Sequence, residues 1–416
     1  MPLKASKQIY DNVHGYIGLT DVELGVVDAP IFQRLRGITQ LGPASLVYPG
    51  ATHTRFEHCL GTMFMMDQFL QHVRSMGEPI TEDPDVIQKM RLAALLHDIG
   101  HYPMSHTFEN VITRRMHGSG HEKAGEIFAR RFLGDALSSY DVRDITGIAG
   151  GNDKSALGML LSSAFDADKS DYLLRDSYHT GVGYGKVGIQ RLMRSASFED
   201  GRIIFDKDEE VVESYLLGRY HMYRSVYHHK TVVAFYTMMS RIFELLVAEG
   251  RIKHPNDVVG SQDEDEITAY DDHMLYHALR EYAGDGKDAF LKELVRMLLA
   301  RKPLYAAFIN PLPEQSERSS ANLMIRSMQY DDRKTEEFAR KAGIPAKWAF
   351  PEYLRDLGLV DDKTPILIKG KGAAKSVLKS HGLIMHLVGS KRLYDARIYV
   401  HPKYKARVAT YMRKIS

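Results

Sequence analysis

The run Ala93-Ala94-Leu95-Leu96-His97-Asp98-Ile99-Gly100-His101-Tyr102-Pro103-Met104-Ser105-His106 sets four groups that bind metals or move protons directly behind an apolar segment. Gly100 reads as a helix C′ residue and Pro103 as a block to continuation, which puts His97 and Asp98 in the last turn of a mostly buried helix. That helix end carries partial negative charge and favours a cation. Neutral imidazole beside carboxylate suits a first-row divalent metal. The plainer alternative is a helix cap in which the histidines only hydrogen-bond. Against it stands the cost of so many titratable groups beside Leu95 and Leu96 unless they act.

Three other stretches carry matching chemistry. Thr54-Arg55-Phe56-Glu57 fits a capping box, with Thr54 as N-cap and Glu57 three residues on, and opens a helix over 55–73. Arg55 and His58 are then i, i+3 neighbours, a guanidinium beside an imidazole. Residues 165–176 read as a helix on which Asp168, Tyr172 and Arg175 share a face, Lys169, Tyr172 and Asp176 overlap it, and Leu173 and Leu174 face the core. A solvated, salt-bridged face gives the same pattern. A long helix over 209–248 carries Arg219, Tyr223 and Tyr227 as a stripe, with His228, His229 and Lys230 after it. Such a stripe is also what a core face looks like.

Stepping outward along the chain, residues 1–52 read as short turns and one helix. That helix starts at Asp28-Ala29-Pro30, with Pro30 in its first position. Ile31, Leu35 and Ile38 make its apolar face, and Arg34 and Arg36 point away from it. Helices are expected over 84–98 and 107–140, the second broken at 116–120. His121 opens the helix after that break, where an N-terminus disfavours its proton. The glycine-rich 179–185 segment follows a helix rather than a strand, so it is a flexible connection and not a dinucleotide fingerprint. A hairpin is expected around Asp200-Gly201, an acidic loop over 262–266, and helices again over 269–300. Past Pro303 the texture changes. Pro311 and Pro313 flank a turn, 333–342 is helical, and 366–368, 383–388 and 392–400 look like strands. The fold class is therefore mainly α, a helical body over 1–302 with a small α+β C-terminal lobe over 303–416.

With 55 basic against 53 acidic residues the net charge is +2, so no global field draws the chain to nucleic acid or membrane. The one cysteine, Cys59, excludes an internal disulfide and fits a reducing, cytoplasmic setting. Residues 1–6 lack an apolar signal core, and no run approaches the ~20 apolar residues of a membrane span.

Taken together, His58, His97-Asp98 and Asp168 resemble the HD-domain phosphohydrolase superfamily. Within it the chain is similar to the deoxynucleoside triphosphate triphosphohydrolases, the group of the vertebrate antiviral dNTPase with a sterile-alpha-motif domain. The matching segments are Phe32-Gln33-Arg34-Leu35-Arg36, Gln40-Leu41-Gly42, Tyr48-Pro49-Gly50-Ala51, Arg55-Phe56-Glu57-His58, the His97 to His106 run, Asp168-Lys169-Ser170-Asp171-Tyr172, Arg175-Asp176 and Tyr227-His228-His229-Lys230. They keep one order from residue 7 to about 250; the sterile-alpha-motif domain itself is absent. The resemblance implies an HD-type helical body and one divalent metal (Fe, Mn, Mg or Zn) on His58, His97, Asp98 and Asp168. It implies that Arg55, Lys169, Tyr172 and Arg219 hold phosphates, which fits the charge and bidentate reach of Arg. His101, His106 and His121 fall at catalytic or α-phosphate positions, and Glu109 stands where close relatives have an aspartate that orients a histidine. Gln40, Asp176 and Tyr227 fall at sugar-contacting positions, and His228 replaces a glutamine near the base.

The reaction so implied is hydrolysis of a dNTP to deoxynucleoside and inorganic triphosphate, the metal acidifying the attacking water. Arg55 and Lys169 neutralise developing charge, and His121 or His106 protonates the leaving 5′ oxygen. Alternatives are hydrolysis of another nucleotide, such as an alarmone or cyclic dinucleotide, a non-catalytic nucleotide sensor, and a nucleic-acid-binding module. His101 stands where the cyclic-dinucleotide branch has lysine, all four metal ligands are kept, and the +2 charge opposes nucleic acid. The resemblance further implies a homo-oligomer, dimer or tetramer, organised by an activating nucleotide at Lys7, Asp28, Gln33 and Arg36. There Asp28 is alternatively a plain N-cap.

Overall fold

A computed structural model describes residues 3–77, 82–153, 155–199, 202–206, 209–313, 320–354, 366–369, 374–377 and 393–415. The chain opens with an antiparallel hairpin, β1 (Lys7–Asp11) and β2 (Gly15–Leu19), where turns were expected. Helices α1 (Asp21–Asp28) and α2 (Pro30–Gln33) follow. Pro30 does start α2, but its N-cap is Ala29, and Asp28 belongs to the preceding helix. Arg34 departs from expectation in the other direction: it is buried, and its guanidinium donates to the carbonyls of Ile99 and Tyr270, pinning two distant loops.

Next come α3 (Arg55–Ser75), α4 (Pro84–Leu96), α5 (His106–Arg114), α6 (His121–Phe132), α7 (Val142–Ala149) and α8 (Ala167–Thr180). The capping box that opens α3 forms, with the Thr54 amide donating to Glu57 Oε2 at 2.7 Å. The 133–140 stretch is turn rather than helix. Then α9 (Ile189–Ser195) leads into the expected hairpin, β3 (Ala196–Glu199) against β4 (Arg202–Asp206); Asp200 and Gly201 lie outside the described residues.

The expected helix over 209–248 is two helices. Helix α10 (Glu209–Met222) widens into a π turn at Tyr223–Tyr227, where the His228 amide reaches back five residues to the Tyr223 carbonyl at 2.7 Å. His229 then leaves helical geometry at ψ 130° and caps α11 (Lys230–Ala248) by accepting from the Thr231 amide. By length and composition α11 passes for a membrane span, contrary to expectation, but 56% of its apolar window is buried inside the body.

Helices α12 (Pro255–Gly260), α13 (Glu264–Thr268), α14 (Asp272–Asp285) and α15 (Ala289–Leu299) complete this part. Helix α13, capped by Asp263, replaces most of the expected acidic loop. Beyond it lie β5 (Tyr305–Pro313), α16 (Ser320–Tyr330), α17 (Asp332–Ala342), β6 (Ala349–Leu354), β7 (Leu367–Lys369), β8 (Lys375–Ser376), β9 (Leu393–Val400) and α18 (Lys405–Ile415). Pro311 and Pro313 lie inside β5 rather than at a turn. This strand is an edge of the β5-β9-β6 sheet, which spares the missing amide hydrogen. The strand expected over 383–388 and residue 392 lie outside the described residues. Strand β7 pairs in parallel with β4, so residues from beyond 303 complete a sheet begun by the body. Two apolar clusters result. The larger takes in Trp348, Phe350 and Tyr399, and the smaller is built from α16, α17, β6, β9 and α18.

Candidate functional site

Donor atoms carried by or next to three helices gather around the Nε2 atoms of His58 and His97. His58 comes from the first turn of α3, His97 caps the end of α4 with Asp98 next to it, and Asp168 lies in the first turn of α8. His58 Nε2 stands 3.2 Å from His97 Nε2, 3.5 Å from Asp98 Oδ2 and 3.1 Å from Asp168 Oδ1. His97 Nε2 stands 3.3 Å from Asp98 Oδ2 and 3.8 Å from Asp168 Oδ1. Donors around an ion with bonds of about 2.1 Å stand roughly 3.0–3.4 Å apart; three of the five spacings fall in that range, and the 3.5 and 3.8 Å pairs are a few tenths longer.

The outer ring nitrogens decide the matter of tautomer. His58 Nδ1 faces Asp171 Oδ2 at 2.7 Å and His97 Nδ1 faces the Ala94 carbonyl at 2.8 Å. Both Nδ1 atoms therefore carry hydrogen, and both Nε2 lone pairs point inward. Two lone pairs facing each other call for a cation between them, and this is the outer-partner pattern of metal-bound histidine. Burial opposes charge on His58, but Asp168 and Asp171 push its pKa up to about 10, so a proton competes for the place of the metal. Asp98 also pays against burial, yet Arg55, His97 and His101 hold it well below the usual carboxylate range. Arg55 binds Asp98 directly through Nη1, and its Nε donates to Ser105 Oγ at 2.9 Å.

A second cluster adjoins the first. The rings of His101 and His121 stack with centroids 4.1 Å apart, and His106 meets both edge-on. Glu109 reaches both outer rings: His106 Nδ1 lies 2.7 Å from Oε2, and His121 Nδ1 binds Oε1. Burial lowers the His121 pKa, but the bond to Glu109 outweighs it and raises it, the reverse of the expected neutral-leaning ring. His101 is fully buried with Nε2 3.1 Å from Asp98 Oδ1, and burial together with Arg55 holds its pKa well below the ordinary range against the pull of that carboxylate. The turn that carries these residues is strained: Met104 and Ser105 sit at φ 57° and 52°, a geometry that costs energy outside glycine. Asp272 and Thr39 hold it, through the Met104 amide at 2.6 Å and the Ser105 hydroxyl at 2.6 Å. Gly100 does not act as a left-handed cap. It is needed because a Cβ there would stand 2.1 Å from the His121 carbonyl and 2.2 Å from the Gly125 amide.

A cavity of about 1460 Å³ opens beside both clusters, lined by His97, Asp98, Asp168, Arg55, His106 and His121 at one part of its wall. Gln40, Lys169, Tyr172, Asp176, Tyr227 and His228 line it as well. Lys169 is held by Asp166 at 2.9 Å, and Asp166 and Asp168 keep it charged against its burial. Asp176 accepts from Tyr227 at 2.6 Å and meets His53 Nε2 at 2.7 Å. Gln40 Oε1 and His228 Nδ1 are buried without a partner. Burial, aided by Arg397, lowers the His228 pKa to about 4, so the ring is neutral. Arg219 stands just behind this wall, over the ring of Tyr223, with Nη1 unpaired. Arg175 does not share the cavity face with Asp168 and Tyr172; it is wholly buried on Asp11 and Asp171.

The four residues read as a regulatory site lie at the surface. Arg36 Nε donates to Gln33 Oε1 at 2.7 Å, while Asp28, at the end of α1, is separated from them by Ala29, so these do not form one helical segment. Lys7 is exposed on β1. Sequence reasoning missed His14, His53, Asp166, Asp171 and Ser105 as supports of the site. Only Asp171 carried a signal, its place three residues after Asp168.

Residues 55–176 match the HD domain family, and residues 187–348 match the HD associated region. The chain belongs to the HD-domain superfamily. All four metal-type donors of this HD-domain protein fall inside the first match. An uncharacterized protein of Methanocaldococcus jannaschii is 41% identical over 240 residues, 56% of this chain and 49% of that protein. A deoxynucleoside triphosphate triphosphohydrolase SAMHD1 homolog of Dictyostelium discoideum is 30% identical over 283 residues, 62% of this chain and 54% of that protein. The aligned stretch thus spans about half the length of these two relatives. The crystal structure of a phosphohydrolase from Bacteroides thetaiotaomicron superposes with a TM-score of 0.73 at 26% identity, covering 94% of this chain and 99% of that one.

Proposed function

We propose that this HD-domain protein hydrolyses deoxynucleoside triphosphates to deoxynucleoside and inorganic triphosphate, with a divalent metal on His58, His97, Asp98 and Asp168. One observation carries the reading: a single cavity joins an inward-facing His/Asp donor set to buried cations and to a Tyr–Asp pair suited to a sugar. The printed name of the Dictyostelium relative supports the substrate class. Mixed imidazole and carboxylate donors favour Mn, Fe or Zn over Mg as the resident ion. When bound, the metal supplies Lewis-acid activation of water and charge for phosphate oxygens.

The chain's own groups do the rest. Arg55, clamped between Asp98 and Ser105, and Lys169, clamped on Asp166, present fixed positive charge to phosphate oxygens. Arg219, which does not line the cavity, adds positive charge from behind the Tyr223 ring. His121, kept protonated by Glu109, gives its proton to the 5′ oxygen as the bond from that oxygen to the α-phosphorus breaks. The Asp176 carboxylate is already engaged by His53 and Tyr227, so a 2′-hydroxyl meets an occupied acceptor and the Tyr227 ring. A nucleotide held between copies at Lys7, Asp28, Gln33 and Arg36 would make activity depend on activator and protein concentration. Light scattering across a GTP or dATP titration checks this, and an unchanged mass with no activation removes it.

The test of the activity is incubation of purified protein with each dNTP and NTP in Mn²⁺, Fe²⁺, Mg²⁺ or Zn²⁺, resolving triphosphate, pyrophosphate and phosphate. The expected outcome is triphosphate from dNTPs. Equal turnover of ribonucleotides, or pyrophosphate as product, contradicts it.

A further inference from the structure

Behind the metal quartet lies an enclosed set of polar groups that the proposed reaction does not use. Asp171, on α8 one turn from Asp168, meets four donors. Oδ2 takes His58 Nδ1 at 2.7 Å and Arg175 Nε at 2.9 Å; Oδ1 takes His14 Nε2 at 2.6 Å and Arg175 Nη2 at 2.9 Å. A carboxylate offers about four lone-pair sites, so Asp171 is saturated and His14 must carry hydrogen on Nε2. Arg175 also binds Asp11, Nη1 to Oδ2 at 2.8 Å. Asp11 Oδ1 in turn accepts from the amides of Val13 and His14 at 2.9 and 2.8 Å, building the β1–β2 turn.

The His14 ring lies on Phe64 of α3, centroids 4.8 Å apart and planes 27° from parallel. The Asp171 and Arg175 side chains have no exposure, and that of His14 has 5%. Gly61 of α3 makes the room: a Cβ there would stand 1.9 Å from Asp171 Oδ1 and 2.4 Å from Arg175 Nη2. The hairpin is thus bolted to the outer anchor of a metal-type histidine by a dry, fully paired network.

We propose that His14 is a positioning residue, and that the β1–β2 hairpin sets metal affinity by fixing Asp171 and, through it, the His58 ring. This rests on the metal reading of the quartet. Without the His14 donor, a buried lone pair of Asp171 loses its partner and the carboxylate is free to turn, which loosens the direction of the His58 lone pair. Outer partners of metal ligands shift affinity by about 10–100-fold. His14 is one bond further out, so the lower end, about tenfold, is expected. Linkage makes the effect reciprocal: bound metal must hold the hairpin as the hairpin holds metal.

The experiment titrates Mn²⁺ calorimetrically into the full-length, metal-free wild type, His14→Phe and His14→Gln. Phenylalanine keeps the stacking on Phe64 and removes the donor; glutamine keeps an N–H. The expected result is about tenfold weaker binding for His14→Phe, with most of it recovered in His14→Gln. Equal dissociation constants for wild type and His14→Phe, or equal losses in the two variants, overturn the proposal. If His14→Phe does not fold, amide exchange in the wild type decides. Added Mn²⁺ is expected to slow exchange over residues 8–17, and unchanged rates overturn the proposal. A wild type that binds no Mn²⁺ removes the metal centre itself, and this inference with it.

Discussion

In the quartet, His58 and His97 turn Nε2 inward and hand Nδ1 to oxygens outside, Asp171 and the Ala94 carbonyl. In the neighbouring triad, His106 and His121 hand Nδ1 to Glu109 in the same way. The triad, and His58, His97 and Asp168 of the quartet, each bring their donor atoms within 4.8 Å of one another, yet the two groups differ in where the carboxylate stands. In the quartet Asp98 and Asp168 face inward with the imidazoles, and their negative charge balances a dication. In the triad the one carboxylate stands outside, and its charge lands on a ring proton, raising the His121 pKa. Equal residue types thus yield one centre suited to holding a metal and one suited to holding a proton.

Breaking the first centre gives the largest effect. Asp98→Ala removes a ligand and leaves Arg55 beside the imidazoles without its counter-charge. Metal affinity is expected to fall by more than the ~100-fold of an outer partner, and dNTP turnover to background, measured by metal analysis and product release on folded protein. Breaking the second centre separates the two roles. His121→Asn is expected to lower kcat by about 10²-fold or more, with metal content unchanged. Metal loss in that variant would merge the two centres into one.

How much of this was legible follows from distance along the chain. The Thr54–Glu57 cap and the His97-Asp98 turn are local, so the start of α3 and the end of α4 could be read directly, while the grouping of His58, His97, Asp98 and Asp168 came from the family resemblance. Asp171 and His14 are 157 residues apart, and no local pattern announces that they meet. The hairpin that carries His14 was hidden because Asp11 and Gly15, rather than an alternating apolar run, define its turn. The π turn at Tyr223–Tyr227 sits among residues that continue a helix equally well, so only the backbone bond from His228 to Tyr223 reveals it. Arg34 looked like a surface charge because its partners are carbonyls of 99 and 270, which have no sequence signature. Pro311 inside β5 is permitted by edge position, a property of the sheet and not of the strand.

Two smaller effects sharpen the comparison. Tyr227→Ala removes a hydroxyl that Asp176 accepts and opens the space beside it. The ratio of kcat/KM for dNTP over NTP is expected to narrow by about tenfold or more, the scale of one lost packing contact; an unchanged ratio puts sugar selection elsewhere. Glu109→Gln takes away the group that raises the His121 pKa. The catalytic proton is present below that pKa and lost as pH rises through it. The alkaline limb of the kcat profile is therefore expected to move to lower pH in the variant, while metal affinity holds. A limb that stays in place contradicts the assignment of His121 as the acid.

The most direct measurement of the central claim is hydrolysis of a dNTP by metal-loaded protein in ¹⁸O-water, with products followed by ³¹P NMR and mass spectrometry. The account predicts deoxynucleoside and triphosphate in equal amounts, with one ¹⁸O on a terminal phosphorus of the triphosphate and none in the nucleoside. Label in the nucleoside, release of pyrophosphate or orthophosphate, or no hydrolysis of any dNTP by the fully loaded protein would contradict it.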